Sequence, residues 1–108
     1  CFGFQTLSMV YGGNVSSMKK KVNKKMNVSL EKSKLFKGLK KEEKFKFIHE
    51  DYVDEVPKSF KVLGKTSNGM VQAIKHNDKP IYGVQFHPEI SGINGKIILD
   101  NFISLCKL

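Results

Sequence analysis

A chain of 108 residues, 40% hydrophobic and 27% charged with a formal net charge of +9, makes one small domain or part of a larger one and is too balanced to be disordered or collagen-like. No apolar run approaches the roughly 20 residues of a membrane helix, and no signal-peptide pattern opens the sequence. Two cysteines, Cys1 and Cys106, are too few for a disulfide framework and point to a reducing, cytoplasmic setting.

Phe4, Leu7 and Val10 or Tyr11 are spaced to share a face, which predicts a helix over residues 2–11. Gly12-Gly13 ends it, because glycine adopts the positive φ that helix C-termini favour. Residues 19–46 hold twelve lysines and three glutamates, so this stretch alone carries +9 while the rest of the chain sums to zero. Every basic residue is lysine. Arginine is the side chain suited to reading guanine or clamping phosphate bidentately, so the charge reads first as a solvated face and second as a docking surface for an acidic partner.

Met26, Val28 and Leu30 alternate with polar residues, as do Phe45 and Phe47, predicting two half-buried strands. Leu35, Phe36 and Leu39 around Gly38 suggest a tight turn between them. Pro57 breaks the chain, residues 60–63 resume as a strand, and Ser67-Asn68-Gly69 turns it into a hairpin with residues 70–74. A second turn at 76–79 leads into a strand over 80–86. From Asn94 the spacing becomes helical, with Ile98, Phe102, Leu105 and Cys106 on one apolar face and Cys106 a packing residue.

Two segments could do chemistry. Cys1 directly precedes the first predicted helix, where the partial positive charge of the N-terminus favours a thiolate. Gly3 would let the backbone turn sharply and approach a substrate, and the Phe2 N–H would face a developing oxyanion. A nucleophile needs a base, and the base needs an orienting group. His87 and Glu89 offer both at the end of an apolar strand. Two apart in extended backbone they project to the same side, with Pro88 stiffening the loop, and a carboxylate on one ring nitrogen sets the imidazole for proton transfer. Each feature also has an ordinary reading. A lone cysteine is commonly a buried apolar residue, and a His-x-Glu arises by chance in a chain that also holds His49 and His76.

Together the segments resemble one family. Cys1-Phe2-Gly3-Phe4-Gln5 is similar to the C-x-G-x-Q nucleophile motif of the class I (triad) glutamine amidotransferases, and Tyr82-Gly83-Val84-Gln85-Phe86-His87-Pro88-Glu89 to their Y-G-V-Q-F-H-P-E motif. Gly12-Gly13 and Leu35-Phe36-Lys37-Gly38-Leu39 agree in order, and residues 95–102 match the closing helix. His49-Glu50-Asp51-Tyr52-Val53 with Val56-Pro57 resembles the H-x-D-x-V-x-x-x-P pattern of the GMP synthetase glutaminase branch. The lysine run at 18–25 departs from that branch's more acidic, glycine-containing segment, and Ser91-Gly92-Ile93-Asn94 from its usual His-Thr pair.

The resemblance implies an α/β fold: the C-terminal part of a doubly wound, flavodoxin-like domain, with an antiparallel hairpin region at about 20–75. It implies glutamine hydrolysis through a Cys1–His87–Glu89 triad, with a γ-glutamyl thioester on Cys1. Phe2 would supply an oxyanion N–H beside Gly3, Gln5 would contact the substrate glutamine, and backbone N–H groups at Glu50 and Asp51 would receive its α-carboxylate. No metal or cofactor is expected in this chain. ATP and Mg belong to the expected partner, a fused or separate synthetase that uses the ammonia to make GMP from XMP. The residue before the nucleophile would be the end of a strand, so residues 1–108 are expected to form a partial domain beginning at Cys1. The upstream strands and the glycine loop that gives the second oxyanion donor would then be absent, and the 108-residue chain alone would have little activity.

Other readings stay open at this point. Cys1 could be an N-terminal nucleophile that uses its own amine as base. The chain could be a non-catalytic, truncated module that docks on a synthetase, or the glutaminase of another amidotransferase such as anthranilate synthase. A basic nucleic-acid binder would show affinity falling steeply with salt.

Overall fold

In the computed structural model, which describes residues 2–106, Phe2–Val10 forms α1. Phe4 and Ser8 are buried, Leu7 and Tyr11 half-buried, and Val10 exposed, so Tyr11 completes the inward face. Its ring meets Phe60 edge-on at 5.0 Å and His76 at 5.5 Å. Gly12 ends the helix with φ +93°, a conformation costly for any residue with a Cβ. The Gly12 and Gly13 N–H groups then donate back to the Met9 and Ser8 carbonyls, satisfying the last turn.

A long hairpin follows. β1 spans Asn14–Leu30 and β2 spans Glu42–Glu55, both much longer than the alternation around Met26–Leu30 and Phe45–Phe47 announces. The lysines of this stretch are largely exposed whichever way they point, so the pattern that marks a half-buried strand never forms. At the tip, Lys34–Phe36 makes one 3-10 turn capped by the Ser33 hydroxyl, and Leu35 and Phe36 enter the core. β3 (Phe60–Lys65), β4 (Val71–His76) and the short β5 (Tyr82–Val84) complete one sheet of order β2-β1-β3-β4-β5.

Every neighbouring pair in this sheet is antiparallel. The α/β class holds, but antiparallel pairing extends over all the described strands rather than residues 20–75 alone. β5 also stops at Val84, short of the expected 86.

Ala73 and Ile74, neighbours in β4, belong to different apolar clusters, so the two cores lie on opposite faces of that strand. One joins Phe4, Val53, Phe60 and Ile74 under α1. The other gathers Val28, Leu35, Phe45, Phe47, Leu63, Phe86 and Ile98. Phe86 stacks on Phe45 at 4.1 Å and meets Phe47 edge-on at 5.8 Å. Each such buried ring contributes about 2 kcal/mol by leaving water.

The second core is closed by α2, Gly92–Cys106. Ile98 is buried and Leu105 half-buried as the spacing predicts, but Phe102 is 42% exposed. Phe102 and Leu99 line a shallow cavity with Leu35, Tyr82 and Val84, and Ile93, Leu99 and Ile103 are exposed as well. The packing expected of Cys106 lies outside the described side chains. Among the described residues, no helix is long and apolar enough to cross a membrane.

Candidate active site

The chain leaves β5 as a bend. The Gln85 N–H donates to the Gln72 carbonyl at 2.9 Å, and Phe86 is driven under β2 by its stacking on Phe45. With the preceding ring buried, His87 emerges in extended conformation (φ −102°, ψ 96°) at the head of a 3-10 turn, Pro88–Ile90. Expected on an extended strand, the His87–Glu89 pair is formed instead across this turn. The turn curls Glu89 back so that its Oε1 lies 2.6 Å from His87 Nδ1. A carboxylate can only accept, so Nδ1 carries a proton, and in the neutral imidazole the lone pair is then on Nε2.

Burial acts to raise the Glu89 carboxyl, but hydrogen bonds from its own backbone N–H and from His87 outweigh this and hold it below its ordinary 4.5. It is therefore ionised throughout the neutral range. The His87 side chain is 28% exposed, open enough to exchange protons with a ligand.

Residues to which the sequence assigned no role in the site hold this turn in place. β2 is an outer strand, and its free edge is covered by the segment that carries His87. The His87 N–H donates to the Lys46 carbonyl at 2.9 Å, the Lys46 N–H donates to Ser91 Oγ at 2.9 Å, and Asn94 donates to the Lys44 carbonyl at 3.0 Å. Ser91 in turn donates to the His87 carbonyl at 2.6 Å. In the sequence Ser91 stands out only as part of the departure from the His-Thr pair. Gly95, a glycine inside a helix, did give a signal: a Cβ there would lie 1.8 Å from the Pro88 carbonyl oxygen.

Gln5, in the first turns of α1, draws three segments together. It is 8% exposed. Its Nε2 donates to the Asp51 carbonyl at 2.9 Å and to Gln85 Oε1 at 3.2 Å. The helix start, the Glu50–Asp51 stretch of β2 and the approach to His87 therefore meet at one side chain, and both amide protons of Gln5 are used in these bonds. His49, 5% exposed, donates from Nδ1 to the same Asp51 carbonyl at 2.8 Å. Its ring pKa is lowered from 6.5, chiefly by burial, so it is neutral.

Phe2 is the first residue of α1, and its N–H is among the donors that a helix start leaves unshared. Gly3 does not make the expected sharp turn. It lies inside α1 without positive φ, and a Cβ added there would meet nothing within 4 Å. Glu50 and Asp51 are exposed at a break in the β1–β2 ladder: Ser17 faces Asp51 and Val22 faces His49, so residues 18–21 bulge out opposite Glu50. Cys1, the expected nucleophile, lies outside the described residues. Among the described residues no group of three or more acidic, histidine or cysteine side chains could hold a metal ion.

Residues 1–105 match the family described as glutamine amidotransferase class-I. This chain belongs to that family. It is 39% identical over 108 residues to a protein of Pyrococcus abyssi that is one subunit of a glutamine-hydrolyzing GMP synthase, covering 98% of this chain and 57% of that protein. It is 40% identical over 111 residues to the glutamine-hydrolyzing GMP synthase of Clostridium tetani, covering 100% of this chain and 22% of that one. Among solved structures, a Thermoplasma acidophilum protein described as a putative GMP synthase subunit superimposes with TM-score 0.90 at 31% identity, over 98% of this chain and 54% of that chain. The chain thus spans little more than half of the Pyrococcus abyssi and Thermoplasma acidophilum proteins, and a smaller share of the Clostridium tetani relative.

Proposed function

We propose that this chain carries the catalytic side chains of a glutaminase that feeds ammonia to GMP synthesis from XMP. The observation that carries the reading is the His87–Glu89 pair at 2.6 Å, which lies two residues beyond Gln85, whose side chain accepts from Gln5 of the helix that Cys1 precedes in sequence. With Nδ1 bound to Glu89, His87 Nε2 takes the Cys1 proton. The thiolate then attacks the side-chain amide carbon of glutamine. The tetrahedral oxyanion is met by the Phe2 N–H. As the C–N bond breaks, His87 returns the proton to nitrogen and ammonia leaves. Water, deprotonated by the same imidazole, cleaves the γ-glutamyl thioester to glutamate and restores the thiol.

On this reading residues 1–108 are the later part of an amidotransferase domain, and an upstream glycine loop supplies the second oxyanion donor. The relatives, of which this chain covers little more than half, support it. Glu50 and Asp51 N–H groups would receive the α-carboxylate of glutamine, while Gln5 acts by holding that stretch. The ammonia acceptor is XMP activated by ATP and Mg on a synthetase, fused or separate, and the work is cytoplasmic. The names of the relatives favour GMP synthesis over anthranilate synthesis.

The test is glutamate and ammonia release by the natural chain, compared with Cys1→Ala and His87→Ala. Both variants are expected to lose turnover. A γ-glutamyl thioester that still forms in His87→Ala would favour an N-terminal mechanism instead. Unchanged turnover in Cys1→Ala would end the proposal.

A further inference from the structure

Resting on the glutaminase reading, we propose that His49 is a positioning residue for glutamine: with Gln5 it clamps the Asp51 carbonyl and thereby sets the Glu50–Asp51 backbone that receives the substrate's α-carboxylate. The ladder alone does not hold this stretch. Between Ser17↔Asp51 and Val22↔His49 the β1–β2 register shifts, so Glu50 has four β1 residues opposite it. A strand facing a bulge has lost part of its backbone pairing, and side chains hold it here instead.

The Asp51 carbonyl accepts from His49 Nδ1 at 2.8 Å and from Gln5 Nε2 at 2.9 Å, which uses both of its lone pairs. A carbonyl fixed by two donors fixes the strand around it and so the neighbouring N–H groups. One donor, Gln5, also bonds Gln85, two residues before His87. The same network therefore sets the substrate anchor relative to the base.

His49 is poorly suited to a merely structural role. Its Nε2 is buried without a hydrogen-bond partner among the described residues, a desolvation cost that an apolar side chain beside Phe47 would not carry. What an apolar residue would lack is the Nδ1–H. Asparagine would keep it, since its side-chain N–H reaches the position of the imidazole Nδ1.

The experiment uses the natural chain and two reagents for Cys1. Iodoacetamide needs only a reactive thiol, whereas a glutamine-shaped diazoketone must also be held by its α-carboxylate. His49→Ala is expected to slow diazoketone labelling about 100-fold, the loss that goes with roughly 1 Å of misplacement, while iodoacetamide labelling and the melting temperature stay close to wild type. His49→Asn should restore most of the diazoketone rate. Equal loss with both reagents, no loss with either, or His49→Asn behaving like His49→Ala would each overturn the clamp. A wild-type chain alkylated by iodoacetamide but never by the diazoketone would instead refute the glutaminase reading on which the clamp rests.

Discussion

Replacing Gly95 with alanine tests how tightly the active-site turn is built. The added Cβ would sit 1.8 Å from the Pro88 carbonyl oxygen and 2.7 Å from its carbon, where real Cβ atoms stay beyond 3.0 Å. Either α2 or the Pro88–Ile90 turn must therefore retreat by more than 1 Å, and both contacts are backbone, which cannot swing aside. Overpacking of this kind costs about 3 kcal/mol. Retreat of the turn also strains the bonds that His87 and Ser91 make to Lys46, at about 1 kcal/mol for one bond lost. Against this, alanine favours a helix interior by about 1 kcal/mol over glycine.

The balance is a loss of about 3 kcal/mol, which at a slope of about 2 kcal/mol/M lowers the urea midpoint by roughly 1.5 M. His87 and Glu89 ride on the displaced turn, so glutaminase turnover should fall about 100-fold. A midpoint at or above that of the natural protein, with full turnover, would show that only the helix gain is felt and that the close packing of α2 on Pro88 is not real.

Three further outcomes follow from particular contacts. Glu89→Gln keeps the shape but removes the charge that fixes the imidazole tautomer, so kcat for glutamine should fall by about 10²-fold or more with KM little changed; steady-state kinetics at neutral pH decide it. Because burial holds His49 below its ordinary 6.5, the unfolded chain takes up that proton first as pH falls. Stability is thus whole above about pH 6.5 and drains away below it, and urea midpoints measured at several pH values should show this slope in the natural protein and a flatter one in His49→Asn. Lys25 stands directly opposite Lys46 in the hairpin, so Lys25→Glu should raise stability by about 0.5 kcal/mol at low salt. A gain that survives about 1 M salt would rule out charge as its origin.

Much of the local structure was readable in advance because it depends on short-range chemistry. Gly12 had to end α1, Ser67-Asn68-Gly69 had to turn, and Phe45 and Phe47 had to face inward. The long reach of β1 was not readable, since a lysine strand exposed for much of its length carries no alternation. Phe102 shares a face with Ile98 as the spacing predicts, but spacing does not show how much of that face is covered, and Phe102 stays 42% exposed. In the candidate site, the motifs named His87, Glu89 and Gln5, but not how the first two meet. Extended backbone was expected, and a 3-10 turn does the work.

Chain order alone settled the family resemblance, the chemical kinds of the site residues and the helix and turn punctuation, all of which are properties of a residue and its near neighbours. Only the tertiary structure decided that Gln5, His49 and Gln85 share one buried network around the Asp51 carbonyl, and that Lys46 and Ser91 hold the His87 turn. His49 reaches Asp51 across two residues, but the bonds from Gln5 to Asp51 and Gln85 and from Lys46 to His87 and Ser91 join residues 41 to 80 positions apart. Their geometry is set by how Phe86 packs beneath β2, and no local pattern encodes that.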